Sequence, residues 1–578
     1  MSARLSPLVG LLRSEPAVSA LLGGDDSAVA VADAARPFVL SGFGDFASSR
    51  VILVATPTGT EADRLAHDLC AFIDSDDVLS FPAWETLPFE RVSPGIETMG
   101  RRLKALWRLR HDSKRGHPVF VIAPVKALVQ RLASLPDDSS PIVISRGTRV
   151  DPAELVADLV TVGYRREYQV EHRGEVAVRG GIVDVFPSTE DFGVRIDCFG
   201  DEVDRLTEFD VVDQRSTNEV DTVEIFPARE FAITKTRQER AAELSTSAPF
   251  AREQFLRIAQ GEVFDGIESF LPFLDDEFLL CDLLDGGDRI VLIEPRRMRD
   301  RVVELIDEEA ALAGSLAETW KEKGAQEELD AADLPRLHAG FDRLLSRSAA
   351  RVTSVLSTAE RPETETVRVG GWPAAIGDAT PIARRIGELV RSGSSVVVAA
   401  QNASSASRIS ESLEDAGVTI DHHQSSDTEA AESDELRLPG THVVVCALDR
   451  GFVLEGAKVA VLAESDLTGR HRPHRVPKAR SRPVEGFFDD LVPGDYVVHY
   501  VHGVARYGGM VQRGEPGESR DYLLLEYRGG DRVYVPSDQI DLVTPYTGGE
   551  NPTLSRLNGR EWQRQRSRAR QAVRAVAD

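Results

Sequence analysis

The chain has 578 residues, 42% of them hydrophobic and 28% charged, enough for several globular domains that each bury a core. No run of about 18 apolar residues and no basic-then-apolar leader occurs, so neither a membrane span nor a signal peptide is expected and the compartment reads as cytoplasmic. A formal charge of -26 excludes nucleic-acid binding through the overall field; such a contact must be local, and protein partners are favoured.

The first unit, from Ser2 to about Leu135, reads as α/β. Val51-Ile52-Leu53-Val54-Ala55 is a buried strand that runs through Thr56-Pro57-Thr58-Gly59-Thr60-Glu61 into a helix bearing Ala62, Leu65, Leu69 and Phe72. That strand, turn and helix lay out a phosphate loop but leave it unfinished. A working loop needs backbone N–H groups of glycines around the phosphate, a Lys for the β/γ-phosphates and a Ser/Thr for Mg2+. Thr60 and Glu61 follow Gly59 instead, and no G-x-x-x-x-G-K-[ST] occurs elsewhere in the chain. A carboxylate there repels phosphate, so the loop Thr56, Gly59, Thr60, Glu61 is expected to hold no nucleotide.

Further along, Ser93 and Pro94 predict a helix start, with Ile96, Met99, Leu103, Leu106 and Trp107 on the buried face. Val119 to Pro124 is a second buried strand and Lys126 to Leu132 a further helix. Continuous apolar strands alternating with helices predict a parallel sheet covered on both faces. Residues 136–227 change pattern: after one helix, Val170 to Phe186 and Val194 to Phe209 alternate apolar and polar, broken by Gly174, Gly180-Gly181 and Gly200-Asp201. This predicts an inserted antiparallel α+β domain, ended by the strand Val223 to Pro227.

Residues 228–350 are helix-rich and acidic, with one strand, Arg289 to Glu294, that completes the interrupted sheet. A second, small α/β domain covers 351–467, with strands Ser395 to Ala400, Thr441 to Cys446 and Lys458 to Ala463 and a helix Ser404 to Ala416. Its first turn, Gln401-Asn402-Ala403, also lacks glycines and Lys. Gly469 to Pro483, within 468–486, is basic, Pro-punctuated and without apolar period, and reads as a linker with a DNA or RNA contact as the alternative. Residues 487–548 carry short strands spaced for a small β-barrel. In 549–578 a final helix from Ser555 bears Trp562, Ala569, Val573 and Val576 on one stripe. It reaches Asp578 without a stop signal, so the chain is expected to be the N-terminal portion of something longer.

Few side chains are grouped for chemistry. Cys70, Cys198, Cys281 and Cys446 lie far apart beside apolar runs, as buried reduced thiols rather than metal ligands. His499 and His502 stand three apart in a strand and so point to opposite faces. Asp184, Asp197, Asp201, Glu202 and Asp204 fall on turns and outward strand positions, where solvation explains them better than acid/base or Mg2+ work. No nucleophile elbow or H-E-x-x-H motif is present. Arg165, Arg166, Arg173 and Arg179 with Phe186 form a local cationic patch around an apolar anchor, equally readable as a protein interface or as ordinary surface.

Several ordered motifs carry a resemblance. Trp84-Glu85-Thr86-Leu87-Pro88, Gly163-Tyr164-Arg165, Arg179-Gly180-Gly181-Ile182-Val183-Asp184-Val185-Phe186-Pro187 and Arg195 to Asp204 resemble the UvrB-homology module of the bacterial transcription-repair coupling factors, the Mfd family, in an actinobacterial-like version. Glu464-Ser465-Asp466-Leu467, Val497-Val498-His499 and His502 to Met510 extend it over nearly the whole chain. The resemblance implies a degenerate P-loop-type sheet, an inserted domain that recruits UvrA, and a CarD-like domain that grips the RNA polymerase β subunit.

Carried over residue by residue, it makes Arg165, Arg166, Arg179 and Phe186 the UvrA contacts and Met510, Val511, Gln512 and Arg513 the polymerase contacts. Arg513 departs from the apolar residue of other members. UvrB has a Walker A motif and a DNA-probing hairpin, and this chain has neither. The implied role is an adaptor between stalled RNA polymerase and UvrA with no motor and no cofactor of its own. ATP, Mg2+ and most DNA contact would belong to a translocase beyond Asp578. A UvrB-like ATPase or helicase and a CarD-like transcription regulator are the alternatives.

Overall fold

In the computed structural model the chain divides into two units, residues 1–474 and 475–578. The structure describes residues 4–18, 27–46, 49–86, 92–111, 117–133, 140–248, 251–322, 334–362, 364–373, 379–423, 434–468, 494, 496–499, 503–513, 520–528, 532–536, 543–545 and 554. The basic segment 469–483, His502 and the helix expected from Ser555 lie outside these residues.

The apolar runs of the first unit build a seven-stranded sheet in the order Glu365–Thr366, Ser27–Ala30, Arg351–Leu356, Arg289–Ile293, Val51–Thr56, Val119–Pro124, Val78–Ser80, every pairing parallel. Both faces are covered, which is why Val51–Thr56 and Val119–Pro124 are apolar throughout rather than alternating. Ile52, Val54, Phe120, Ile122 and Val291 face one core with Phe38, Leu65, Leu69 and Phe72. Leu53, Val121 and Leu292 face the other with Leu106, Leu128, Met298 and Val302. Arg351–Leu356 pairs with Arg289–Ile293 in this sheet, so the first α/β domain runs past the boundary expected at 350.

Two helix limits differ from expectation. The helix expected from Ser93 spans Ile96–His111, because the Ser93 hydroxyl is committed elsewhere: it donates to Glu268 (2.6 Å) and accepts from the Gly266 N–H. The helix expected over Lys126 to Leu132 is only Val125–Val129, because Gln130 forms a backbone bridge with His338 instead of another helical turn.

The inserted domain has a six-stranded sheet in the order Ser216–Glu219, Glu202–Phe209, Gly193–Phe199, Ile182–Val185, Glu175–Arg179, Arg165–Arg166, antiparallel except for the last pair. Thr222–Ile225 pairs with Ile142–Ser145 beside it. The helix Pro152–Thr161 is fixed by Asp151, whose carboxylate accepts from the Ala153 and Glu154 N–H groups, with Pro152 at the first position. Its Leu155, Val156 and Leu159 cover Val176, Val183, Val185, Val194 and Ile196 on one face of the sheet.

The second α/β domain is a six-stranded sheet, Val369–Gly370, Phe452–Leu454, Val459–Ala463, Ser395–Ala400, Gly440–Val445, His422–His423, parallel from Val459–Ala463 onward. It shares a core with the first sheet: Val397, Val461 and Phe452 belong to the cluster around Phe38, and the Phe38 and Phe452 rings stack at 5.2 Å.

Residues 475–578 contribute a five-stranded antiparallel sheet in the order Arg532–Pro536, Arg520–Glu526, Gly503–Arg513, Tyr496–His499, Val543–Pro545. Val497, Ala505, Tyr507, Leu523, Leu525 and Val535 form its core. The expected closed barrel is not seen: among the described residues the outer strands Arg532–Pro536 and Val543–Pro545 are not paired with each other.

Among the described residues no helix is long and apolar enough to cross a membrane, and no three His, Cys, Asp or Glu side chains are grouped to hold a metal. Cys281 and Cys446 are buried free thiols, and burial pushes both up to about 12, which makes them poor nucleophiles.

Candidate functional site

The turn after Val51–Thr56 closes on itself. Thr56 Oγ1 donates to the Thr58 carbonyl (2.9 Å), and Thr58 Oγ1 caps the helix Gly59–Leu69 by accepting from the Glu61 N–H. The Glu61 carboxylate is ion-paired with Arg297 at 2.7 Å. A Cβ added to Gly59 would meet no atom within 4 Å, so no close backbone approach demands this glycine.

Ligands of open α/β sheets bind outside the carboxyl ends of the strands. Here that edge carries the chain's own charges. Arg36, buried, donates to Glu294 (2.6 Å) and Ser357 (2.8 Å), and also pairs with Asp33, which holds Arg64 at 2.7 Å. Glu294 directly follows one strand and Ser357 its neighbour, so the topology brings them together. Burial disfavours the Glu294 carboxylate, but hydrogen bonds from Ser357 and Arg36 outweigh it and hold the group below its ordinary pKa. Its backbone has φ +53, a strained conformation for a residue with a Cβ.

The second α/β domain repeats the arrangement. Glu464 accepts from the Gln401 N–H (3.1 Å) and the Ser405 hydroxyl (3.0 Å) at the start of the helix Ala403–Asp415, where a phosphate loop would place phosphate.

The inserted domain presents a different surface. Strand alternation sends Val176, Val183, Val194 and Ile196 toward the helix and leaves Arg179, Ile182, Asp184, Arg195, Asp197 and Arg205 on the opposite face, adjacent in register. The turn joining the first two of these strands needs Gly180, at φ +63. On this face Asp184 is buried, accepting from Arg195 Nε (2.7 Å) and Nη2 (3.0 Å) and from Arg179 Nη2 (2.8 Å). Arg195 lies over the Phe209 ring, while Arg205 reaches Asp197 at 3.4 Å. Two large apolar groups break the charged lattice: Ile182, 37% exposed, and Phe199, 85% exposed at a hairpin tip in phase with Arg195 and Asp197.

The residues expected from sequence are distributed unevenly. Arg179 is on this face and Arg166 is exposed on the edge strand; Arg165 is half-buried, 3.5 Å from Asp265. Arg173 is turned inward, paired with Asp191 at 2.9 Å and bonded to the Glu190 carbonyl. Phe186, expected as an apolar anchor, is buried with Val170, Ala177 and Phe209 under the Arg173 guanidinium and so packs as part of the core. Asp184, expected to be solvated, is instead buried between two arginines. The sequence reading missed Phe199, Ile182, Arg195 and Arg205. The signal was the alternation itself, which puts an aromatic in step with charged residues.

In the second unit, Tyr496–His499 pairs with Gly503–Arg513 only as far as Arg506. From Tyr507 to Arg513 the strand has Arg520–Glu526 on one side, with Met510, Val511, Gln512 and Arg513 opposite Leu523, Tyr522, Asp521 and Arg520. On its other edge the Tyr507 carbonyl accepts from the Gly494 N–H (2.7 Å), and from Gly508 to Arg513 that edge has no strand partner among the described residues.

A family profile described as the UvrB interaction domain matches residues 142–231, which contain the charged sheet face, and one described as the CarD-like/TRCF RID domain matches residues 491–547. The chain is 34% identical to the transcription-repair-coupling factors of Mycobacterium bovis and Mycobacterium tuberculosis, over 99% of its own length and 49% of theirs. Identity to that of Bacillus subtilis is 27%, over 92% of the chain and 46% of the relative. The chain therefore spans about half the length of the curated relatives it matches. Nearly all of it matches the N-terminal region of the bacterial transcription-repair-coupling factors, the UvrB interaction domain included.

Proposed function

We propose that this chain is the adaptor region of a transcription-repair-coupling factor, in which the inserted domain binds UvrA and the second unit binds the RNA polymerase β subunit. The observation that carries the reading is the exposed Phe199 on the same sheet face as Ile182, Arg179 and Arg195, within the domain matched to UvrB interaction. Exposed aromatics and arginines on a rigid sheet are the residue types that dominate protein interfaces. UvrA contact through this face replaces the contact expected at Phe186 and leaves Arg165 and Arg166 at its margin.

The polymerase contact is assigned to the edge from Gly508 to Arg513, including Met510, Val511, Gln512 and Arg513, since an open strand edge accepts a partner strand through main-chain hydrogen bonds. The α/β domains serve as scaffold, their phosphate positions held by Glu61 with Arg297, by Arg36 with Glu294, and by Glu464. ATP hydrolysis and DNA translocation belong to the remainder of the full-length protein, which works in the cytoplasm.

Capture of purified UvrA and of the isolated polymerase β subunit, each on immobilised chain, tests the assignment. Retention of both supports it. Retention of the β subunit alone favours a CarD-like regulator, and retention of neither removes the adaptor reading.

A further inference from the structure

Asp184 sits on the solvent side of the inserted sheet, yet its carboxylate is almost entirely buried. A buried carboxylate is costly unless paired and hydrogen-bonded, and this one is covered by the two arginines it binds. Arg195 meets it side-on through Nε and Nη2, gives Nη1 to the Gln214 carbonyl (3.3 Å) and rests on Phe209, so its plane is fixed. Arg179 gives one N–H to Asp184 and remains about half exposed. Two guanidiniums on one carboxylate leave this cluster with one net positive charge, with Ile182 opposite Arg179 in register and Phe199 two residues beyond Asp197.

We propose that Asp184 is a positioning residue for partner binding: it holds Arg179 and Arg195 in place so that the remaining N–H groups of Arg179 meet a carboxylate on UvrA while Phe199 and Ile182 enter an apolar recess. The inference rests on the reading of this face as the UvrA surface. Its physical basis is pre-organisation. A long arginine side chain loses rotamer freedom on docking, and a guanidinium already ordered by a buried anion loses less. A carboxylate is needed for this, because an amide in its place offers one acceptor oxygen and a donor that faces the guanidiniums.

The test titrates UvrA against the full chain by calorimetry, with D184N, R195K, F199A, R179A/R195A and the triple variant D184N/R179A/R195A. R195K keeps the charge and removes only the side-on pairing, so it remains informative if D184N does not fold. The expected result is binding about tenfold weaker for both D184N and R195K, the scale set by the rotamer freedom that one long side chain loses on docking when it is no longer held in place. D184N should have no further effect in the R179A/R195A background, a pattern that general damage to the fold would not give. Wild-type affinity for R195K together with an unchanged D184N effect in the triple variant would overturn the positioning role alone. Wild-type affinity for F199A and R179A/R195A would overturn the reading of the face itself.

Discussion

Arg36 donates to Glu294 across 2.6 Å at the carboxyl edge of the first parallel sheet, and Ser357 binds the same carboxylate. The edge that takes ligands in related architectures is thereby neutralised from within. Replacing Arg36 by Ala should cost about 3 kcal/mol, the low end for removing one partner of a buried pair, since Glu294 keeps some water. The pH dependence has a definite sign. A carboxylate held below its ordinary 4.5 contributes stability that is present above that value and lost as pH falls through the lower folded value. Denaturant titrations from pH 7 to 3 should show a smaller loss of stability in Glu294→Gln than in the wild type.

The same edge makes a prediction about nucleotide. With Glu61 at the helix start and no Lys after Gly59, this chain should neither bind ATP with micromolar affinity nor hydrolyse it. Equilibrium dialysis with labelled ATP and Mg2+ checks the point. Stoichiometric binding would mean that the ion pairs at this edge open to admit phosphate.

Asp68 joins the two α/β domains, accepting from the Asp449 N–H at 3.0 Å. Burial is the main reason its pKa rises from 3.8 to about 7; the hydrogen bond from the Asp449 N–H and the Arg64 charge oppose the rise, and the Asp449 and Asp33 carboxylates add to it. An acid raised in the folded state holds a proton that the unfolded chain releases, so stability falls as pH climbs from about 4 to 7, by up to about 1.4 kcal/mol per pH unit. Asp68→Asn keeps an acceptor for the Asp449 N–H and should flatten that slope, raising the melting temperature at pH 8 and changing it little at pH 5. Equal slopes in the two proteins would rule out Asp68 as the titrating group.

Phe186 and Phe199 lie in the same domain and should behave oppositely. Phe186→Ala empties a packed site among Val170, Ala177 and Phe209 and should cost about 3 kcal/mol or more. Phe199→Ala removes an exposed ring and should leave the unfolding free energy within about 0.5 kcal/mol of wild type. Urea denaturation of the two variants decides between these placements.

The parallel sheets were legible because strands buried on both faces must be apolar at every position, as Val51–Thr56 and Ser395–Ala400 are. Strands with no such demand were not: Ser216–Glu219 is exposed at all four positions and carries no apolar signal. Local rules also lost to distant partners, as where Glu268 takes the Ser93 hydroxyl and His338 ends the helix before Gln130. The charged sheet face was half legible. Arg179 could be picked from its motif, but which of two nearby phenylalanines is core depends on cross-strand register, and Phe186 ends up packed against Phe209 while Phe199 stands at a hairpin tip.

The adaptor account is tested most directly by calorimetric titration of UvrA into this chain and into its Phe199→Ala variant. The account predicts saturable binding to the wild type and at least about tenfold weaker binding to the variant, as for an interface hot spot. Equal affinity for the two proteins, or no binding by the wild type, would contradict it.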